Sequence, residues 1–360
     1  MRHRPTRAAI LATLIVLLVV GTAGSALACG GLVTPNGTIN LLKTTTLAAY
    51  HDGVEHYVTS FEFAGKGQEV GSIIPLPGVP TDVIKGGDWT LQRLILETQP
   101  QAERLALFAT AGEAASADAE VLLETKVDAL DITVLKGGGT AVGDWAREHG
   151  YFLPPDAPQV LDFYAERSPI FLAARFNAER AAERGVQTGQ GTPVHIVIPT
   201  PNPWVPLRIL ALGRQASEVV QADVYLLTDR RPTTLPQAER VNRFDEDQRG
   251  LIQEVSEPVS GTLLRDLRSD RGMGWLPSDG MWLTYIRVNE TAANLTHDLA
   301  IDASGYGRPS PIAAGYPAPV PGASSWALVW TVLAAVAAIA VLMAAADPGL
   351  RRGVSRAFRR

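Results

Sequence analysis

The sequence predicts an α+β fold of largely antiparallel sheets with covering helices, followed by one C-terminal transmembrane helix. Three observations predict it. Short runs rich in branched residues are punctuated by turn residues, helical stretches fall in clusters between them, and residues 326–346 carry no charged side chain over 21 positions. Clustered strands and helices, as opposed to a regular strand–helix repeat, favour an α+β arrangement over a parallel α/β sheet.

Residues 1–28 read as a secretory signal peptide. Arg2, Arg4 and Arg7 precede an uncharged block over 8–20, and Ala26-Leu27-Ala28 supplies small side chains for cleavage before Cys29. The block is shorter than the roughly 20 residues that cross a bilayer. Cys29 is the sole cysteine, which excludes an intrachain disulfide. At the mature N-terminus it is a candidate for lipidation, although Ala26 stands where a lipidation signal usually has Leu.

Residues 29–303 are expected to form the extracytoplasmic domain, as one unit or two subdomains. Residues 45–50 and 54–63 alternate as strands around His51-Asp52-Gly53, and Asp-Gly between such runs predicts a hairpin. A strand over 70–74 closes on Pro75-Leu76-Pro77-Gly78. Asp88 is placed to cap a helix over 89–98, and Pro100 to open a second reaching 111. Strands follow at 121–127 and 132–135; Gly137-Gly138-Gly139 then breaks the pattern, and Thr140 is placed to cap a helix ending at His149-Gly150. Strands at 170–176, 194–198, 207–212 and 219–227, a helix at 262–267, and strands at 281–288 and 299–301 finish the domain.

Residues 304–325, with Pro309, Pro311, Pro317, Pro319 and Pro321 among small residues, read as an extended, semi-rigid stalk. The uncharged stretch 326–346 spans about 31 Å as a helix, which matches a hydrocarbon core. Trp326 and Trp330 mark its outer end. Arg351, Arg352, Arg356, Arg359 and Arg360 in the tail 347–360 mark the cytoplasmic side. The expected topology is a single-pass cell-membrane protein with the N-terminal domain outside.

Between Cys29 and Ser325 there are 36 Asp and Glu against 24 Lys and Arg, a net charge of −12. Phosphate contact needs a positive surface, so this domain is not expected to bind nucleic acid. No HExxH pair, GxSxG elbow or Walker-type loop is present.

His51 and His56 straddle the Asp52-Gly53 turn and are weak metal candidates with Asp52 and Glu55; turn and strand-surface roles are the plainer reading. Asp245-Glu246-Asp247 starts like a calcium loop, but Arg249 and Ser256 occupy positions that need oxygen ligands. The glycine triplet lacks the lysine or spacing of a phosphate loop and reads as a flexible turn. Trp204, Trp275, Trp282 and Tyr285 are candidate binding aromatics for a carbohydrate or peptide groove, with core packing as their commoner fate.

Cys29-Gly30-Gly31, the run Ile74-Pro75-Leu76-Pro77-Gly78-Val79-Pro80, the segment Trp145-Ala146-Arg147-Glu148-His149-Gly150-Tyr151 and the strand Val224-Tyr225-Leu226-Leu227 occur here in order. As a set they resemble the bacterial exported family catalogued as domain of unknown function 2330. The resemblance implies an exported, membrane-attached protein with no established activity. Members often carry a second cysteine shortly after the first; Leu32, Val33 and Thr34 stand there instead, so no family disulfide can form.

The reading that follows is a non-catalytic binding or structural envelope module, with no cofactor, whose partner is an envelope protein or a glycan. The alternatives are an extracytoplasmic hydrolase whose site is assembled only by the fold, and a subunit of a membrane complex.

Overall fold

Asp52 and Gly53 both adopt left-handed backbone, at φ 49° and 81°, and turn the chain so that His51 pairs with Val54. Two successive positive φ values define the tight hairpin turn whose twist matches that of its strands. The computed structural model describes residues 32–33, 40–64, 71–87, 89–98, 120–128, 130–151, 153–176, 193–245, 247–302, 307–317, 330 and 333–339. The signal, Cys29, the helix expected over 100–111 and the basic tail lie outside the described residues.

In chain order the elements begin with β1 (Leu32–Val33), β2 (Asn40–His51), β3 (Val54–Ala64), β4 (Gly71–Leu76) and β5 (Asp82–Lys85). Helix α1 (Thr90–Thr98) leads to β6 (Glu120–Val127) and β7 (Leu130–Lys136), and helices α2 (Gly139–Glu148) and α3 (Ala157–Ala165) to β8 (Ile170–Phe176). Next come β9 (Val194–Pro199), β10 (Trp204–Val205), a 3-10 turn at Arg208–Ala211, β11 (Val219–Thr228), β12 (Thr233–Leu235) and β13 (Glu239–Arg240). The rest is β14 (Gly250–Pro258), α4 (Gly261–Ser269), β15 (Trp282–Thr291), β16 (Leu299–Asp302) and the one-turn α5 (Pro311–Ala314).

An eight-stranded sheet runs β13-β14-β15-β11-β2-β3-β9-β5, a five-stranded sheet β1-β4-β8-β7-β6, and a three-stranded one β10-β16-β12. Pairing is antiparallel except for β2 with β11 and β13 with β14. The α+β class with antiparallel sheets therefore holds, but the centre of the largest sheet is a parallel seam.

Alternation along β2 and β3 divides the core. Leu47, Ala49 and Val58 face a cluster with Leu91 and Leu94 of α1 and Leu263, Leu264 and Leu267 of α4. Ala48 and Tyr57 face the opposite cluster, shared with the five-stranded sheet and with Trp145, Val160 and Tyr164 of α2 and α3. A strand buried on both faces needs apolar residues at successive positions, which is why Val224-Tyr225-Leu226-Leu227 reads as an unbroken run.

Three local expectations change, and a fourth, the Asp88 cap, falls on a residue that is not described. Asp270 holds the N-terminus of α1, its Oδ2 accepting from Trp89 N at 3.0 Å and Thr90 N at 2.7 Å. Helix α2 begins at Gly139 with Gly138 as cap and no capping side chain, so Thr140 lies inside the first turn. A Cβ on Gly139 would stand 2.5 Å from Asp162 N, so this glycine lets α2 approach α3 rather than serving as a loose turn. Residues 207–212 are not a strand: Leu207 N and Arg208 N donate to Asp298 Oδ1, and Ile209 N to the Tyr164 hydroxyl, which curls the backbone into the 3-10 turn.

The start of the expected stalk is docked. Asp298 N donates to Ala314 O, and Tyr316 stacks on His297 at 3.9 Å. The chain divides into units 1–316 and 317–360. In the second, Trp330 and residues 333–339 are helical and Leu333, Val336 and Ile339 are exposed. Among the described residues no helix is long and apolar enough to cross a membrane, and most of 326–346 lies outside them.

Candidate binding site

The hairpin does not gather His51, Asp52, Glu55 and His56. His51, at the end of β2, pairs with Asp229 at 2.7 Å near the surface. His56 lies opposite Ala49 on the same face, whereas Glu55 points to the other core. Strand alternation thus separates the carboxylate from the imidazole. Among the described residues no group of three or more His, Cys, Asp or Glu side chains is placed to hold a metal ion.

What His56 meets instead is His195 of β9, Nδ1 to Nε2 at 3.0 Å, with the Trp275 indole stacked on its other side at 3.5 Å and 4°. Burial pushes the His56 imidazole down to about 3, helped by His195 and His51. Burial pushes His195 down to about 4 against the pull of Asp82. Both rings are neutral at ordinary pH. On the far face, fully buried Glu55 is pushed up to about 8 by desolvation, with one weak contact from Trp204 N at 3.4 Å.

Behind Trp204 lies a buried polar network. Tyr164 donates its hydroxyl to Asp298 Oδ1 at 2.8 Å, and Arg167 pairs with Asp298 Oδ2. The Arg167 guanidinium covers the rings of Phe163 at 4.2 Å and Trp204 at 4.6 Å. Desolvation holds the Asp298 carboxyl above its ordinary value, opposed by Arg167 and the Arg208 N–H. The network positions Leu207 and His297, and so one wall of a cavity of about 210 Å³.

Leu207, Leu251 and Leu295 give that cavity apolar walls, and Gln237, Glu239, Glu290, Asn294 and His297 give it polar ones. Glu290 Oε1 is fixed by Thr291 N at 2.6 Å and Asn294 Nδ2 at 3.1 Å. The walls come from Leu207, the segment 236–239 that leads into β13, the start of β14, the end of β15 and the turn after it.

The four candidate aromatics do not share a groove. Trp204 is buried in the core that contains Tyr164. Tyr285 is buried in the opposite core, stacked on Tyr225 at 4.8 Å with its hydroxyl on Asp223. Trp282 is half-buried and donates to Ser256 Oγ at 3.0 Å. Trp275 covers His56. At the calcium-like stretch, Asp245 Oδ1 accepts from Asp247 N and its main-chain oxygen from Gln248 N, closing a local turn.

Residues 23–267 match the family described as "Uncharacterized protein conserved in bacteria (DUF2330)". The chain belongs to DUF2330. The expectation drawn from Cys29-Gly30-Gly31 and the three later segments is thus met. No curated protein matches the chain. Among solved structures, baculovirus P35 aligns with a TM-score of 0.34 at 10% identity, over 53% of this chain and 65% of P35. The chain thus spans less than two thirds of the length of that structure.

The DUF2330 match includes Glu55, His56, His195 and Trp204, and it ends within α4, before Trp275, Trp282, Tyr285 and Asp298. Sequence reading missed His195 and the cavity walls because each depends on strands brought together across the fold. One signal was available for His195: a lone imidazole inside the branched run Val194–Pro199.

Proposed function

We propose that this is an exported protein, tethered by residues 326–346 with its N-terminal domain outside the cytoplasm, that binds a small polar envelope component, a glycan unit or its amino sugar, without turning it over. The single observation that carries the binding reading is the cavity beside His297: amides, carboxylates and an imidazole stand over apolar walls, the mixture that ring hydroxyls and a sugar's apolar face require. At about 210 Å³ it is smaller than the roughly 300–1,000 Å³ typical of sites for drug-sized ligands, which suits one ring. The tether is supported by the uncharged run, its arginine-rich flank, and the exposed Leu333, Val336 and Ile339.

The test is a titration of full-length protein in detergent with peptidoglycan and polysaccharide fragments, followed by NMR or calorimetry. Glu290→Gln and Asn294→Ala are expected to weaken binding at least 10-fold while leaving the fold intact. Binding unaffected by either substitution, or turnover of a fragment, overturns the reading. For the tether, carbonate-washed membranes should retain the protein.

A further inference from the structure

The pair His56–His195 stands apart from the cavity and has no role in it. The two imidazoles come from neighbouring strands, with His195 opposite Val58 and Ile84 and diagonal to His56. His195 is 1% exposed, and its Nδ1 has no partner among the described residues. Gly272, at φ +74°, presses against it: a Cβ there would lie 3.3 Å from that nitrogen. Three residues on, Trp275 lies flat on His56, so one segment covers both rings. Two desolvated imidazoles sharing one hydrogen bond are a poor core element, since an unmet buried donor or acceptor costs about 1–3 kcal/mol.

We propose that His56 Nδ1 and His195 Nε2 are the protein ligands of a site for a soft monovalent cation of the copper(I) class, roofed by the indole of Trp275. Three features carry the assignment. Two-coordinate copper(I) is close to linear, so two nitrogens each about 2 Å from the ion lie about 4 Å apart, and the pair at 3.0 Å has to open by about 1 Å to exchange its shared hydrogen bond for the ion. A cation about 2 Å from Nδ1 in the imidazole plane also falls within the ~6 Å over which an indole face attracts positive charge.

The surroundings exclude a hard ion. Leu47, Val58, Ile84 and the buried thioether of Met273 lie on this face or in its cluster. The nearby Asp270 carboxylate is occupied by the donors of Trp89, Thr90 and Arg271. Asp82, whose charge is felt at His195, is exposed on β5. A divalent cation would be stripped of water here without compensating charge, whereas a soft monocation suits imidazole and thioether surroundings. The assignment is independent of the glycan and tether readings.

The test uses full-length protein in detergent, titrated anaerobically with copper(I) against a chromophoric copper(I) chelator, with X-ray absorption on the loaded wild type. One equivalent should bind, with imidazole scattering from two nitrogens. His195→Phe should lower the affinity more than about 100-fold and Trp275→Leu about 5-fold. His51→Asn, outside the site, should leave it unchanged. Absence of bound copper, a spectrum without imidazole, unchanged affinity in folded His195→Phe, or zinc held as tightly would each overturn the proposal. If His195→Phe fails to fold, the wild-type spectrum still decides.

Discussion

The carboxylate of Asp270 accepts both the backbone N–H of Thr90, at 2.7 Å, and its hydroxyl, at 2.6 Å, from a position 180 residues later in the chain. Helix α1 is therefore capped by the loop that follows α4, and the two helices lying on the same sheet face are tied at their ends. Asp270→Ala leaves those donors and Trp89 N unmet and is expected to cost about 1–2 kcal/mol in urea denaturation. Asp270→Asn, which keeps an acceptor oxygen, should cost less.

Glu55 gives the domain a pH dependence of known sign. Its carboxyl is raised by burial from an ordinary value near 4.5 to about 8. Below pH 4.5 it is neutral in folded and unfolded chains alike. Between pH 4.5 and 8 the unfolded chain releases a proton that the folded one keeps, so rising pH weakens folding until the buried carboxyl itself ionises. The loss over that window should be on the order of 5 kcal/mol. Stability of Glu55→Gln, measured by denaturation at pH 5 and pH 8.5, should lack this slope.

Asp298 is fully buried and accepts hydrogen bonds from the Tyr164 hydroxyl, the Arg167 guanidinium and the backbone N–H groups of Leu207 and Arg208. Removing one partner of a buried pair strands the other charge, so Asp298→Ala is expected to cost about 3–5 kcal/mol. Because the same oxygens hold Leu207 beside the cavity, fragment binding should weaken in parallel when folded protein is compared.

Gly139→Ala places a methyl 2.5 Å from the backbone nitrogen of Asp162, an atom that cannot rotate away. Thermal denaturation should show a loss of about 1–3 kcal/mol.

Local signals were legible in the sequence and distant ones were not. Asp52-Gly53 announced its hairpin because the turn conformation is chosen by those two residues alone. The helix expected over 262–267 is α4, and the structure adds Ser260 as its cap and buries Leu263, Leu264 and Leu267 on one face. Helix α3 follows Pro154 and Pro155 and holds Pro158 in its first turn, so its sequence carries no plain helical signal, although proline is well suited to a first helical turn. Residues 207–212 look like a strand by composition; only the arrival of Asp298 and Tyr164 curls them.

The candidate sites were less legible still. Pairing His56 with His51 used nearness in sequence, but pleating and the β3–β9 register give it His195, 139 residues away. The cavity walls come from four segments, at 207, 236–239, 250–251 and 290–297, whose adjacency no local pattern encodes.

The parallel seam has a consequence for biosynthesis. β2 is flanked by β3 on one side, but its other edge stays bare until residues 219–228 have emerged to occupy it. Open strand edges recruit other chains, so a nascent polypeptide of this kind needs shielding by a holding factor until two thirds of it has been made. Fragments that stop short of β11 should accumulate as aggregates, while those that include β15 should yield soluble material.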